Sequence, residues 1–157
     1  MIILQNNSEL KVLQEKLILK NSIDELKKGF LNKAIAFCII NKGLIIHITW
    51  LARNELAKKY VDIWQKNINW TNTAVWGNAF TMPEYRKNGL YSFTHKYIQT
   101  YLFKKDIKYN RFSIKKINIS SINAMNKFNP NILALGINIK IYIFNFRFTI
   151  TKAKKND

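Results

Sequence analysis

The stretch Thr81-Met82-Pro83-Glu84-Tyr85-Arg86-Lys87-Asn88-Gly89-Leu90-Tyr91 decides how the rest of this chain is read. A strand runs out at Phe80, Pro83 opens a turn, and a short loop ending in Gly89 feeds a long amphipathic helix. Backbone N–H groups and the helix dipole converge at such a junction and make it a place to hold phosphate, and Arg86 and Lys87 add charge there. By itself the junction is a generic anion loop. Its surroundings on both sides narrow the reading.

Upstream, Thr71 to Phe80 reads as a strand interrupted at Gly77, a glycine of the kind that marks a bulge or a close backbone approach by a ligand. Ala34 to Leu51 is the most apolar run and is near the minimum length of a membrane span. Asn41-Lys42-Gly43 divides it into two Ile-rich halves, which describes a hairpin with strands near 34–40 and 44–51 instead. His47 is expected to share a face of the second strand with Ile45 and Thr49, opposite Ile46, Ile48 and Trp50. Residues 8–20 predict a first helix with Ser8 as N-cap and Leu10, Leu13, Leu17 and Ile18 on one face. A shorter helical turn opens at Asn21-Ser22 and ends at Gly29. Residues 53–66, with Leu56, Tyr60, Ile63 and Trp64 at helical spacing, predict a surface helix.

Downstream, Leu90, Phe93, Tyr97, Ile98, Tyr101 and Leu102 predict one helical face running up to Lys105. Residues 111–118 read as a strand, a short helix spans about Ser121 to Phe128, and Asn129-Pro130 ends it. The tail from Ile132 to Thr151 predicts two strands meeting near Asn145. The order of elements describes a mixed α/β (α+β) domain over residues 1–157, one layer of sheet with helices on its faces and no linker.

Composition bounds this further. A chain of 157 residues with 48% hydrophobic and 13% aromatic content is long enough for one packed core and is not a disordered chain. The formal charge of +17, from 26 basic and 9 acidic residues, suggests an anionic partner. Nearly all of the basic residues are Lys, however, with Arg53, Arg86, Arg111 and Arg147 the exceptions. Lys, Asn and Ile together are what an AT-rich genome supplies, so compositional drift takes the larger share of the charge. Cys38 stands alone inside an apolar run, which excludes an intramolecular disulfide and a Cys-based zinc site. His47 and His95 are too few for a metal cluster. The first residues lack the basic region and apolar core of a secretory signal, so a cytoplasmic protein is expected.

Two motifs then carry a family resemblance. Arg86-Lys-Asn-Gly89-Leu-Tyr91, preceded by Pro83, resembles the Q/R-x-x-G-x-G/A signature of the GNAT superfamily of acyl-CoA-dependent N-acyltransferases. Asn118-x-x-Ser121, with Lys127 six residues on, resembles the same family's N-x-x-S/A…K pattern. The order of elements agrees, and the resemblance covers roughly residues 30–150. It implies a mostly antiparallel central sheet flanked by helices. It also implies acetyl-CoA, or another acyl-CoA, as co-substrate, and transfer of the acyl group to a primary amine of a small molecule or peptide. The pyrophosphate would lie on the loop of Arg86, Lys87, Asn88, Gly89, Leu90 and Tyr91. The pantetheine arm would pair like an extra strand beside Phe80, Thr81 and Met82. Asn118 and Ser121 would line a slot where two strands splay, with Lys127 beyond them. A homodimer is compatible with the resemblance.

The departures concern the catalyst. Tyr91 stands where the signature has Gly or Ala, Met125 stands where many members keep a thiolate-protonating Tyr, and the strand from Thr71 to Phe80 carries no Glu or Asp. The remaining candidates are His47 as base, and Ser121 or a water held by Asn78 and Asn118 as proton relay. Backbone N–H groups near Phe80 to Met82 would polarise the carbonyl. Trp50, Trp70 and Trp76 either wall the acceptor site or pack the core. Two alternatives stand beside the enzyme. One is a nucleic-acid-binding protein using Tyr97, Tyr101, Phe103 and Lys104-Lys105; the other is a GNAT-like domain that binds CoA without chemistry.

Overall fold

The computed structural model describes residues 1–16, 23–62, 64–132, 134–141 and 144–151. Its elements follow as β1 (Ile2–Leu4), α1 (Asn7–Lys16), α2 (Ile23–Leu31), β2 (Ile35–Asn41), β3 (Leu44–Ala52), α3 (Glu55–Val61) and β4 (Thr73–Thr81). After a 3-10 turn at Pro83–Tyr85 come α4 (Leu90–Phe103), β5 (Tyr109–Arg111), α5 (Ile119–Asn126), β6 (Ala134–Ile141) and β7 (Phe144–Thr151). Among the described residues, five strands form one sheet in the order β1-β2-β3-β4-β5, and β6 pairs with β7 in a separate hairpin. All pairings are antiparallel except β4 with β5. The architecture is thus mixed α/β, with a mostly antiparallel sheet. No helix among the described residues is long and apolar enough to cross a membrane.

The expected hairpin is present because its turn chemistry is local. Lys42 and Gly43 both take positive φ (48° and 78°), and a two-residue loop of that hand matches the twist of the strands it joins. His47 shares its face with Thr49, opposite Ile48 and Trp50, as expected, but a bulge moves Ile45 off that face. Ile39 pairs with His47 but Ile40 pairs with Ile45, so Ile46 is an extra residue and the alternation shifts by one. Ile45 therefore joins Ile48, Trp50 and Ala52 in a core with Leu10, Leu26, Phe30, Ala57 and Val61 from α1, α2 and α3. On the opposite face Phe37, Leu51, Ala74 and Trp76 pack with Ile98, Leu102 and Met125 from α4 and α5.

Helix ends differ from expectation where side chains decide them. Asn6, not Ser8, caps α1, its Oδ1 accepting from Glu9 N at 2.9 Å. Leu17, Ile18, Asn21, Ser22 and Ile63 lie outside the described residues. Gly29 does not end α2, which continues to Leu31. A Cβ on Gly29 would overlap the Trp50 ring, so the glycine makes room inside the helix, and the left-handed residue that ends it is Lys33 (φ 55°). Asn54 caps α3, and the helix stops at Asp62 rather than at residue 66 because Asp62 is already extended (φ −159°). The core side of α4 is Thr94, His95, Ile98 and Leu102, so Phe93 stays 54% exposed instead of joining the packed face. The tail forms two strands as expected, but they meet between Ile141 and Phe144, and Asn145 pairs with Lys140 inside the ladder. β1, an edge strand of three residues, was not anticipated from the sequence.

Candidate functional site

The site grows from the way β4 leaves its neighbour. β4 and β5 pair only over Thr73–Val75 and Tyr109–Arg111. β4 then runs on to Thr81, while the other chain turns off after Arg111 and reaches α5 at Ile119 without further strand structure. This corrects the expected strand over 111–118: only Arg111 of that range is in β5, and Asn118 is a helix cap, not a strand end. Asn118 Oδ1 accepts from Ser121 N at 3.2 Å, so the N-x-x-S spacing fixes the first turn of α5. The two strands part by six residues of β4 edge, Trp76 to Thr81.

Within β4 the ladder to β3 is broken. Ile48 faces Phe80 and Trp50 faces Gly77, so Asn78 and Ala79 together stand against Thr49. Asn78 takes the left-handed conformation (φ 46°), and Asn78, Ala79 and Phe80 are exposed. The bulge expected near Gly77 is therefore seated on Asn78. Gly77 is small for another reason, since a Cβ there would lie 3.0 Å from the Val61 carbonyl at the end of α3. Beyond the bulge, Met82 N donates to Ile46 O at 3.0 Å, which makes His47 and Thr81 a non-hydrogen-bonded pair with close side chains. The Met82 N–H is thereby engaged with β3, while the Thr81 carbonyl turns away from it and accepts from Arg86 Nε at 3.1 Å.

The loop after β4 carries two left-handed residues, Lys87 (φ 64°) and Gly89 (φ 73°). Gly89 is the N-cap of α4 and offers no capping side chain, and a Cβ on it would meet nothing within 4 Å. Its glycine identity thus serves the conformation and leaves the first N–H groups of α4 uncovered by a cap. Arg86, Lys87, Asn88 and Gly89 are exposed around that end, with Asn88 Nδ2 donating to Tyr85 O at 3.3 Å. Uncapped N–H groups, a helix N-terminus and two cations make an anion seat.

Beneath the loop lies a buried polar chain. His47 is fully buried; its Nδ1 is 2.7 Å from Thr81 Oγ1 and its Nε2 is 3.0 Å from Thr49 Oγ1. Burial pulls its pKa down to about 4, so the ring is neutral near pH 7. Tyr91 packs edge-on to His47 at 6.5 Å and tilted on Trp76 at 5.4 Å. Burial pushes its hydroxyl up to about 12, opposed by a hydrogen bond with Ser121. The large residue at the end of the signature thus ties α4 to α5. Trp50 and Trp76 are fully buried on opposite faces and serve as core, and Trp70 packs against the cluster that holds Trp50. Cys38 is buried, with desolvation pushing its thiol up to about 12.

On the other side of the bulge is a residue that the sequence did not single out. Glu25, in the first turn of α2, lines a cavity of about 340 Å³ with Ile48, Asn78 and Phe80. The Tyr60 hydroxyl donates to Glu25 Oε1. Thr94 and His95 were likewise missed; His95 is 3% exposed, and its pKa is pulled down to about 4 by burial.

Of the sequence candidates, Phe80, Thr81, Met82, Arg86 to Tyr91 and His47 gather at one end of β4, with Asn78 at the bulge; Ser121 joins them through Tyr91, and Asn118 caps the helix that carries it. Lys127 does not join them. It is the C-cap of α5, roughly 14 Å of helix from Asn118, and it is exposed. No protein-family model matches this chain, and no curated protein matches it either.

Proposed function

We propose that this chain is an acyl-CoA-dependent N-acyltransferase of the GNAT kind. The observation that carries the reading is the β4 edge, which leaves β5 after Val75 and leads into the uncapped N-terminus of α4. An extended amide-bearing arm would pair along such an edge, and a pyrophosphate would sit at its end on the N–H groups of Gly89 to Tyr91. Arg86 and Lys87 would add charge, and Asn118 and Ser121 would close the far wall. The order of elements, with a β4–α4–β5 unit of parallel strands inside an otherwise antiparallel sheet, supports the same reading.

Acyl-CoA would supply an activated thioester, and this chain would position it and the amine. The broken ladder at Asn78–Ala79 is where backbone N–H groups can turn toward a thioester carbonyl. His47 has both ring nitrogens occupied and no exposed surface, so it is assigned to holding Thr81 in place rather than to taking a proton from the amine. Met125 is buried and offers no proton, so the departing thiolate would take one from solvent or from the Ser121–Tyr91 pair.

Calorimetric titration with acetyl-CoA tests the reading. Saturable binding that is lost in Gly89→Val and Arg86→Glu supports it, and no binding in the parent overturns it. Binding without transfer to any primary amine would reduce the reading to a CoA-binding domain. A second reading, single-stranded nucleic-acid binding, draws on Phe93 (54% exposed) and Phe103 (81% exposed) on α4, with Lys96 on the same helix and Lys104 and Lys105 just past its end. Stabilisation by oligonucleotide that falls steeply with salt, with none by acetyl-CoA, would favour it.

A further inference from the structure

We infer that the cavity over the β4 bulge binds a primary ammonium ion on a short apolar stem, with the Glu25 carboxylate as its counter-ion. Its use as the acyl acceptor rests on the reading above, whereas the binding itself stands on the geometry of the cavity. At about 340 Å³ the space suits a small ligand, and its lining of one carboxylate, one amide and two apolar side chains matches a cation with a hydrocarbon body.

Glu25 is held for such a role. Tyr60 donates to Oε1, and Tyr60 is itself fixed edge-on against the buried Trp50 ring at 5.1 Å. Burial and the Glu25 charge keep the Tyr60 hydroxyl well above its ordinary range, so it stays a neutral donor. Among the described residues no ion pair involves Glu25, although the chain carries 26 basic residues against 9 acidic ones. A carboxylate left without a lysine in so basic a chain, yet pinned by a half-buried tyrosine, is available to a cation from outside.

A second carboxylate lies behind the bulge. Asp62 is 8% exposed; its Oδ1 accepts from Trp64 N at 2.9 Å, while its Oδ2 is buried with no hydrogen-bond partner. Its Cβ would stand 3.7 Å from a Cβ on Gly77, the residue before Asn78, and Asp62 does not itself line the cavity. The left-handed Asn78 and the half-exposed Phe80 then form the rim and the apolar contact for the stem.

The test is an amide chemical-shift titration with n-butylammonium chloride against the neutral isostere n-pentanol. The parent is expected to bind the ammonium at least tenfold more tightly, with the Asn78 and Phe80 amides moving, and Glu25→Gln is expected to erase that difference. Should Glu25→Gln not fold, Glu25→Asp, which withdraws the carboxylate by one methylene, is expected to weaken the ammonium at least threefold. Equal affinity of parent and variant, or shifts confined to the exposed Glu55 and Glu84, overturns the inference. Repeating the titration with acetyl-CoA separates the two claims. Ammonium binding without CoA binding upholds the cation site and sinks the acyl-transfer reading. Acetylation of butylamine with an unchanged KM in Glu25→Gln does the reverse.

Discussion

Lowering the pH from 6.5 to 4.5 is expected to cost the fold about 4 kcal/mol through two histidines alone. His47 is 0% and His95 3% exposed, and burial lowers each pKa from 6.5 to about 4. Around His47 stand the hydroxyls of Thr49 and Thr81 and the Tyr91 ring; around His95 stand Trp76, Phe112 and Phe128. Neither ring meets a carboxylate in these contacts, so the neutral form is the folded form. In the unfolded chain both rings take up a proton near pH 6.5. The unfolded state therefore binds more protons below that pH, and stability falls as pH drops until the folded rings titrate near 4. Integrating the proton difference from pH 6.5 to 4.5 gives about 2 kcal/mol for each ring. The assay is urea unfolding of the parent, His47→Gln and His95→Gln at pH 6.5, 5.5 and 4.5. Carboxylates contribute equally to all three proteins, so the difference isolates the ring. Each variant should flatten the pH dependence by about 2 kcal/mol. Variants whose curves run parallel to the parent would refute the argument.

Two further substitutions probe the packing around the site. Gly29→Ala drives a methyl group into the Trp50 ring and should destabilise the protein by about 2 kcal/mol, read as a lower urea midpoint. An unchanged midpoint would mean that α2 sits farther from β3 than described. Asn118→Ala removes the acceptor for Ser121 N and should cost about 1 kcal/mol, whereas Asn118→Asp keeps the cap and should stay near the parent. Loss of acetyl-CoA affinity in the Ala variant, but not in the Asp variant, would tie that cap to the cofactor wall.

How much of this was legible in the sequence follows from what is local. The hairpin could be read because Lys42-Gly43 encodes its own turn. The loop–helix junction could be read because Pro83 and Gly89 fix their own backbone. The face of Ile45 could not, because the Ile46 bulge belongs to a pairing between strands and leaves no mark on periodicity. The parting of β4 and β5 was expected from the resemblance, but its place was not, since the residues after Arg111 have strand propensity and no strand beside them. Asn118 reads as a generic polar residue until the helix it caps is known. Glu25 reads as one more first-turn acid, favourable to the helix dipole wherever it occurs. Only the fold brings it to the β4 bulge, and the sole hint in the chain was the scarcity of acids. Thr94 and His95 were hidden because a polar residue on a buried face contradicts the apolar pattern used to find that face.

The measurement that bears most directly on the central claim is calorimetric titration of acetyl-CoA into the parent, Arg86→Glu and Gly89→Val proteins. Gly89 holds φ 73° with open space around it, so valine forces the cap to rearrange without touching the core. The account predicts one saturable site in the parent, at least tenfold weaker in both variants, with thermal midpoints of all three nearly the same. A parent that does not bind acetyl-CoA, or variants that bind it as the parent does, would contradict it.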